Sequence, residues 1–169
     1  MVRLPLVHPD LVLDPEPEEV TPHAMAFARM MFAHAAVERE IGTLQDVITG
    51  ERGFGERWRN KWKTRERPAK MVALIAKYRG SLAQTSEIEK LLTDAIDPCD
   101  QRNLLAHGSW WGFNRQTATV YVRGGTRWEG AEFPDHRDYT AAYIESIADN
   151  LKTIEIEIFK LRRAIETAI

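Results

Sequence analysis

The C-terminal part of the chain carries the pattern that most restricts its fold, an apolar residue at every third or fourth position over about 30 residues. Such a heptad seam predicts one long helix, from about Asp138 onward, with one side buried along its length. Ile156 and Phe159 lie off the seam, which predicts contacts on more than one side, including contacts with a second copy. The seam consists of Ile144, Ile147, Leu151, Ile154, Ile158, Leu161 and Ile165.

A second long helix is predicted near the N-terminus. Thr21 and Pro22 suit the cap and the first helical position, and Gly50 suits the end, which gives about 28 helical residues. His34 falls on its apolar face, where a buried, hydrogen-bonded histidine is expected. Because the two long helices have similar lengths, we expect them to pair antiparallel within a mainly α four- or five-helix bundle.

Length and composition fit a single domain. The chain has 169 residues, of which 44% are hydrophobic, enough to bury a core. Residues 1–20 are predicted to form an extended arm, because four prolines oppose a helix there, and the helical domain is predicted to span 21–169. The single Cys99 permits no internal disulfide, and no apolar segment approaches membrane-spanning length. We therefore expect a cytoplasmic protein without membrane contact.

The apolar period changes from helical to alternating after Gly108. Ala118, Val120 and Val122 alternate with polar residues, and Gly124-Gly125 suits a two-residue turn. A small β-hairpin or meander is therefore predicted at about 109–133, before the last long helix.

Residues 51–70 form the most basic segment, with eight Lys or Arg against three Glu, although the net charge of the chain is −2. Aromatic residues alternate with cations here, a composition suited to phosphate contact and base stacking. Alternatively, the tryptophans pack inward while the cations face water. The candidate RNA-binding residues are Arg57, Trp58, Arg59, Lys61, Trp62 and Lys63.

The segment from Asp97 to Trp111 contains the polar side chains best suited to catalysis or ligand binding. Asp97 and Pro98 suit a helix start and Gly108 a helix end, so a short helix is predicted to carry Arg102, Asn103 and His107. At about 100° per residue, Asn103 and His107 share a face, and Arg102 needs its long side chain to reach the same ligand.

The segment Arg-Asn-Leu-Leu-Ala-His at 102–107 resembles the Arg-polar-x-x-x-His signature of the HEPN superfamily, all-helical domains found among RNA-cutting toxins, phage-defence proteins and nucleotide-binding partners. The bare spacing also occurs from Arg3 to His8 and from Arg29 to His34. The first of these spans a proline, and the second has an apolar residue after its arginine. Only the third places Asn103 after Arg102 and ends its helix directly after His107.

The resemblance implies a metal-independent ribonuclease whose site forms where two protomers meet at their motif helices. Attack by the 2′-hydroxyl of RNA needs a base, an acid and a cation for the phosphate charge. His107 of each protomer would serve as acid or base, Arg102 would bind the phosphate, and Asn103 would orient either of them. No cofactor or metal is implied, and an antitoxin or regulatory protein is an expected partner besides RNA.

The sequence also departs from the family. Some active relatives carry a tyrosine two residues beyond the histidine, where this chain has Ser109, and the predicted hairpin is an elaboration. The alternative is a non-catalytic nucleotide- or protein-binding module. In that case Arg102 pairs with Asp97, Asp100 or a helix end, and Asn103 and His107 form a buried polar link between helices.

Overall fold

A computed structural model of the chain describes residues 11–58, 61–123 and 136–168. They form a mainly helical protein with a small antiparallel sheet before the last helix. The helices are α1 (Pro17–Thr49), α2 (Phe54–Trp58), α3 (Arg67–Arg79), α4 (Thr85–Asp94), α5 (Ile96–His107) and α6 (Ala141–Ala168), with a 3₁₀ turn at Thr64–Glu66. The strands are β1 (Leu11–Val12), β2 (Ser109–Asn114), β3 (Thr119–Arg123) and β4 (His136–Thr140).

Helix α1 begins at Pro17, so the predicted extended arm at 1–20 is wrong for residues 17–20. The backbone N–H of Glu16 donates to the Glu19 carboxylate at 2.9 Å, which supplies a cap that does not need Thr21. Pro22 then lies inside the helix, where it has no backbone N–H to donate to the carbonyl four residues earlier. Residues 1–10 of the predicted arm lie outside the described residues.

The apolar seam of the last helix is confirmed, since each of its residues is buried in α6. The predicted antiparallel pairing with α1 is wrong. Arg29 of α1 contacts Glu145 of α6, whereas Glu40, further along α1, contacts Arg162, further along α6. The two helices therefore run parallel.

The position of the sheet explains this parallel direction. Glu19 pairs with Arg115 at 3.0 Å, and the ring of His23 lies edge-on to Phe113, with centroids 5.7 Å apart, so the sheet lies at the N-terminal end of α1. Strand β4 leads directly into α6. As a result, α6 starts at the same end of the molecule as α1.

The sheet has the order β1-β2-β3-β4, with all neighbours antiparallel. The described turn between β2 and β3 covers residues 115–118, where the Asn114 side chain accepts from the backbone N–H of Gln116 at 2.9 Å. The predicted turn at Gly124-Gly125 lies outside the described residues. The last helix starts at Ala141 and not near Asp138, because residues 136–140 pair with β3.

Val120 and Val122 point into the core together with Phe113 and Tyr139, as the alternating pattern predicted for the two valines. Ala118 is instead an exposed turn residue with a φ of 50°. The sheet thus closes the core at the end of the molecule where helix α5 also ends.

Candidate active site

Helix α5, which carries the motif, is held against the protein on three sides. Cys99 and Leu105 are each 1% exposed and face the core. The Tyr139 hydroxyl of β4 donates to Gln101 at 3.0 Å, and Arg65 donates to the Asp100 carboxylate at 2.8 Å. The helix begins at Ile96, two residues before the predicted start, and ends as predicted before Gly108, whose backbone is extended and not left-handed.

The three motif residues have different environments. Arg102 and Asn103 are half-buried, and an Nη of Arg102 donates to the Asn103 side-chain oxygen at 2.9 Å. His107 is exposed at the end of the helix. Among the described residues, no hydrogen bond joins His107 to the other two, so Asn103 orients Arg102 and not the imidazole.

The Arg102 guanidinium has unused hydrogen-bonding capacity. Its Nε is buried and has no hydrogen-bond partner among the described residues. Asp100, a candidate partner two positions earlier, is engaged by Arg65. Within residues 11–58, 61–123 and 136–168, no carboxylate lies in ion-pair distance of Arg102. A half-buried guanidinium without an ion-pair partner is suited to an anionic ligand.

A cluster of charged and titratable side chains lies close to Arg102. Arg67 of α3 binds both carboxylate oxygens of Glu38, one of them at 3.0 Å, and the Nε2 of His34 lies 3.5 Å from the same carboxylate. These three side chains are only 11–13% exposed. The cluster therefore joins α1 and α3 next to the face of α5 that carries Cys99 and Arg102.

Burial lowers the pKa of His34 to about 4, and the positive charge of Arg102 acts in the same direction against the opposing influence of Glu38. His34 is thus neutral at physiological pH. It is partly buried, and among the described residues its polar contact is with the Glu38 carboxylate, where a hydrogen-bonded core histidine was expected. Burial also raises the pKa of the Cys99 thiol to about 12, with a further contribution from Glu38. The thiol stays protonated and is not a nucleophile.

Acidification should destabilise the protein through His34. Its pKa is about 4 when folded and near 6.5 when unfolded, so between these pH values only the unfolded chain takes up the proton. The contribution of neutral His34 to the free energy of unfolding is fully present above about pH 7 and falls by about 3 kcal/mol toward pH 4. Urea unfolding of wild type and His34→Gln at pH 7.5 and 4 should show the smaller loss in the variant. Parallel pH dependences would contradict this assignment.

The basic segment is partly neutralised by the fold. Arg57 pairs with Glu51 and lies over the Phe54 ring at 6.0 Å. Arg57, Lys61 and Lys63 are all exposed. Trp62 is partly buried and packs against the core, as the inward-packing alternative predicted. Arg59 and the side chain of Trp58 lie outside the described residues.

Sequence reasoning did not select Trp110, which lies next to the motif. The indole N–H of Trp110 donates to the carbonyl of Leu105 at 2.9 Å, across the C-terminal end of α5. The indole also lies edge-to-face with Phe27 of α1, with centroids 5.5 Å apart, yet Trp110 remains 41% exposed.

An irregularity in β2 explains why the alternating pattern did not reveal Trp110. Trp110 pairs with Val122 and Gly112 with Tyr121, so Trp111 is an extra residue in the strand. This bulge puts Trp110 and Phe113, three positions apart, on the helix-facing side of the sheet. A strictly alternating strand would have put them on opposite faces.

Two further features bear on function. In the part of the chain that the structure describes, no three His, Cys, Asp or Glu residues gather as a metal site would require. None of the described helices has a stretch apolar and long enough to cross a membrane.

Comparison with known proteins did not identify a relative of this chain. Protein-family models, curated proteins and solved structures were each searched, and none of the three comparisons gave a match. The residues at the end of α5 are therefore the basis for assigning a function.

Proposed function

We propose that the protein is a metal-independent endoribonuclease of toxin or phage-defence type, with a HEPN-like bundle and a composite site in a homodimer. The observation that carries the proposal is the state of the motif residues. His107 is exposed at the end of α5, while Arg102 is half-buried and has no carboxylate partner among the described residues. A guanidinium without an ion-pair partner and an accessible imidazole on the same helix suit a phosphodiester substrate.

The alternative of a purely structural motif receives less support. It requires Arg102 to pair with Asp97, Asp100 or a helix end and His107 to be buried. Instead, Arg102 contacts Asn103, Asp100 pairs with Arg65, and His107 faces solvent.

The proposed reaction uses the RNA itself as nucleophile. The 2′-oxygen attacks the adjacent phosphorus, the P–O5′ bond breaks, and the products are a 2′,3′-cyclic phosphate and a 5′-hydroxyl. One His107 imidazole removes the 2′-hydroxyl proton, and the protonated imidazole of the second protomer gives a proton to the leaving O5′. Arg102, held by Asn103, binds the non-bridging oxygens as negative charge develops. DNA lacks the 2′-hydroxyl and is not cleaved.

Cleavage of single-stranded RNA in the presence of a chelator tests the proposal. His107→Ala should lower the cleavage rate by about 10²- to 10⁴-fold, the usual contribution of a general acid or base. Because His107 is exposed, its removal should leave the thermal midpoint and the dimer unchanged. Gel analysis of labelled RNA gives the rate, and calorimetry and sedimentation give the other two quantities.

Asp97→Asn is the matched control, since Asp97 is exposed on the same helix but outside the motif. It should cleave RNA at the wild-type rate. Intact RNA with dimeric wild-type protein, or equal cleavage by wild type and His107→Ala, would refute the enzyme.

A further inference from the structure

We propose that the indole of Trp110 is the surface on which a base of single-stranded RNA stacks while the adjacent phosphate lies between Arg102 and His107. This inference rests on the proposed function and identifies a specificity residue of the same site. It requires an aromatic ring that is exposed, fixed and close to His107. The observations on Trp110 meet each requirement.

The indole is fixed by two contacts. Its N–H donates to the Leu105 carbonyl at 2.9 Å, and Phe27 supports it at a ring distance of 5.5 Å and an interplanar angle of 85°. A ring that is already held in one orientation loses little conformational freedom when a base stacks on it. The 41% exposure leaves part of the ring open to a ligand.

The hydrogen bond also places the indole beside the motif. The Leu105 carbonyl belongs to the last turn of α5, and His107 is the last residue of that helix. The carbonyls of the last turn point out of the C-terminal end of a helix, so the indole lies across the end that carries the exposed imidazole. Base and phosphate of one nucleotide can then contact Trp110 and the motif together.

Of the two tryptophans that the sequence suggested for stacking, Trp62 does not offer this surface, and the side chain of Trp58 lies outside the described residues. Among the tryptophan side chains that the structure describes, Trp62 packs against the core, and Trp110 is the more exposed. The bulge in β2 turns Trp110 toward the helices, and bulges often orient side chains next to functional sites. Single-stranded RNA is the matching ligand, since its unpaired bases are free to stack on aromatic rings.

Binding of a fluorescein-labelled ten-residue 2′-O-methyl oligouridylate, measured by anisotropy at low salt, tests this inference without cleavage. Trp110→Leu should weaken binding by about 5- to 150-fold, the range for loss of one base–aromatic stack. Trp110→Phe keeps a ring but loses the bond to Leu105, so it should bind within about 5-fold of wild type while melting at a lower temperature. An abasic oligonucleotide of the same length should bind wild type and Trp110→Leu equally.

Equal affinities of wild type and Trp110→Leu for the oligouridylate would overturn the inference, as would an equal loss with the abasic strand or no binding by wild type. The proposed enzyme can fail independently. If wild type leaves RNA intact but Trp110→Leu loses oligouridylate binding, the stacking surface stands and the ribonuclease does not. If wild type cleaves RNA and Trp110→Leu has the same KM, the ribonuclease stands and the stacking surface does not.

Discussion

Replacing Gly55 with alanine should lower the free energy of unfolding by about 3 kcal/mol or more, the upper range for overpacking a buried contact. A Cβ on Gly55 would lie 2.1 Å from the carbonyl oxygen of Gly42 and 2.4 Å from its Cα. Both atoms belong to the backbone of α1 and cannot move aside as a side chain would. Asp46 also accepts from the Gly53 and Gly55 amides at 2.8 and 2.7 Å, so displacement of α2 breaks these bonds as well.

Gly42→Ala is the matched control on the other side of the same contact. Its Cβ would lie 3.7 Å from Gly55, an ordinary van der Waals distance, and Gly42 is inside α1, where alanine is favoured over glycine by about 1 kcal/mol. Thermal unfolding should thus show a midpoint about 6–12 °C lower for Gly55→Ala and an unchanged or higher one for Gly42→Ala. Equal midpoints of the two variants would show that α2 does not pack on α1 through these glycines.

Removal of the Glu38 charge should lower the free energy of unfolding by about 3–5 kcal/mol, because Glu38→Gln leaves the buried guanidinium of Arg67 without a counter-ion. The double variant Glu38→Leu/Arg67→Met should recover most of the loss, since an apolar pair of similar volume often replaces a buried ion pair at little cost. Urea unfolding at pH 7.5 measures all three proteins.

Glu66→Gln is the corresponding change on the surface. Glu66 pairs with Lys70 at 2.7 Å, but both side chains are more than 40% exposed, so solvent screens the pair and its loss should leave the urea midpoint almost unchanged. A similar cost for Glu38→Gln and Glu66→Gln would contradict the electrostatic account of the cluster. So would a double variant as unstable as Glu38→Gln.

Features encoded by local pattern were predicted well. The apolar seam of α6 and the short helix ending before Gly108 follow from spacing and from the conformational preferences of single residues. The direction of α6 relative to α1 could not be predicted this way, because it depends on a sheet that pairs a strand before α1 with strands just before α6. The start of α6 was misplaced for the same reason, since pairing with β3 makes His136–Thr140 a strand.

In the candidate site too, local features were predicted and long-range contacts were not. Arg102, Asn103 and His107 were selected from one helix, whereas the surroundings of Arg102 come from α1 and α3. The second Arg-x-x-x-x-His match, from Arg29 to His34, shows what spacing misses. Arg29 pairs with Glu145 on the surface, while His34 is buried where the charge of Arg102 reaches it. The histidine of the discounted match thus lies next to the arginine of the selected one, which spacing alone could not reveal.

The packing of α1 against α6, two helices far apart in the sequence, also has a consequence for biosynthesis. Helix α1 leaves the ribosome early, yet the helix that covers its apolar face begins only at Ala141. Until then, much of that face is left to water or to a chaperone. The nascent chain therefore cannot complete its core segment by segment, and the ordered ends of α5 and β2 emerge well before the last helix that stabilises them.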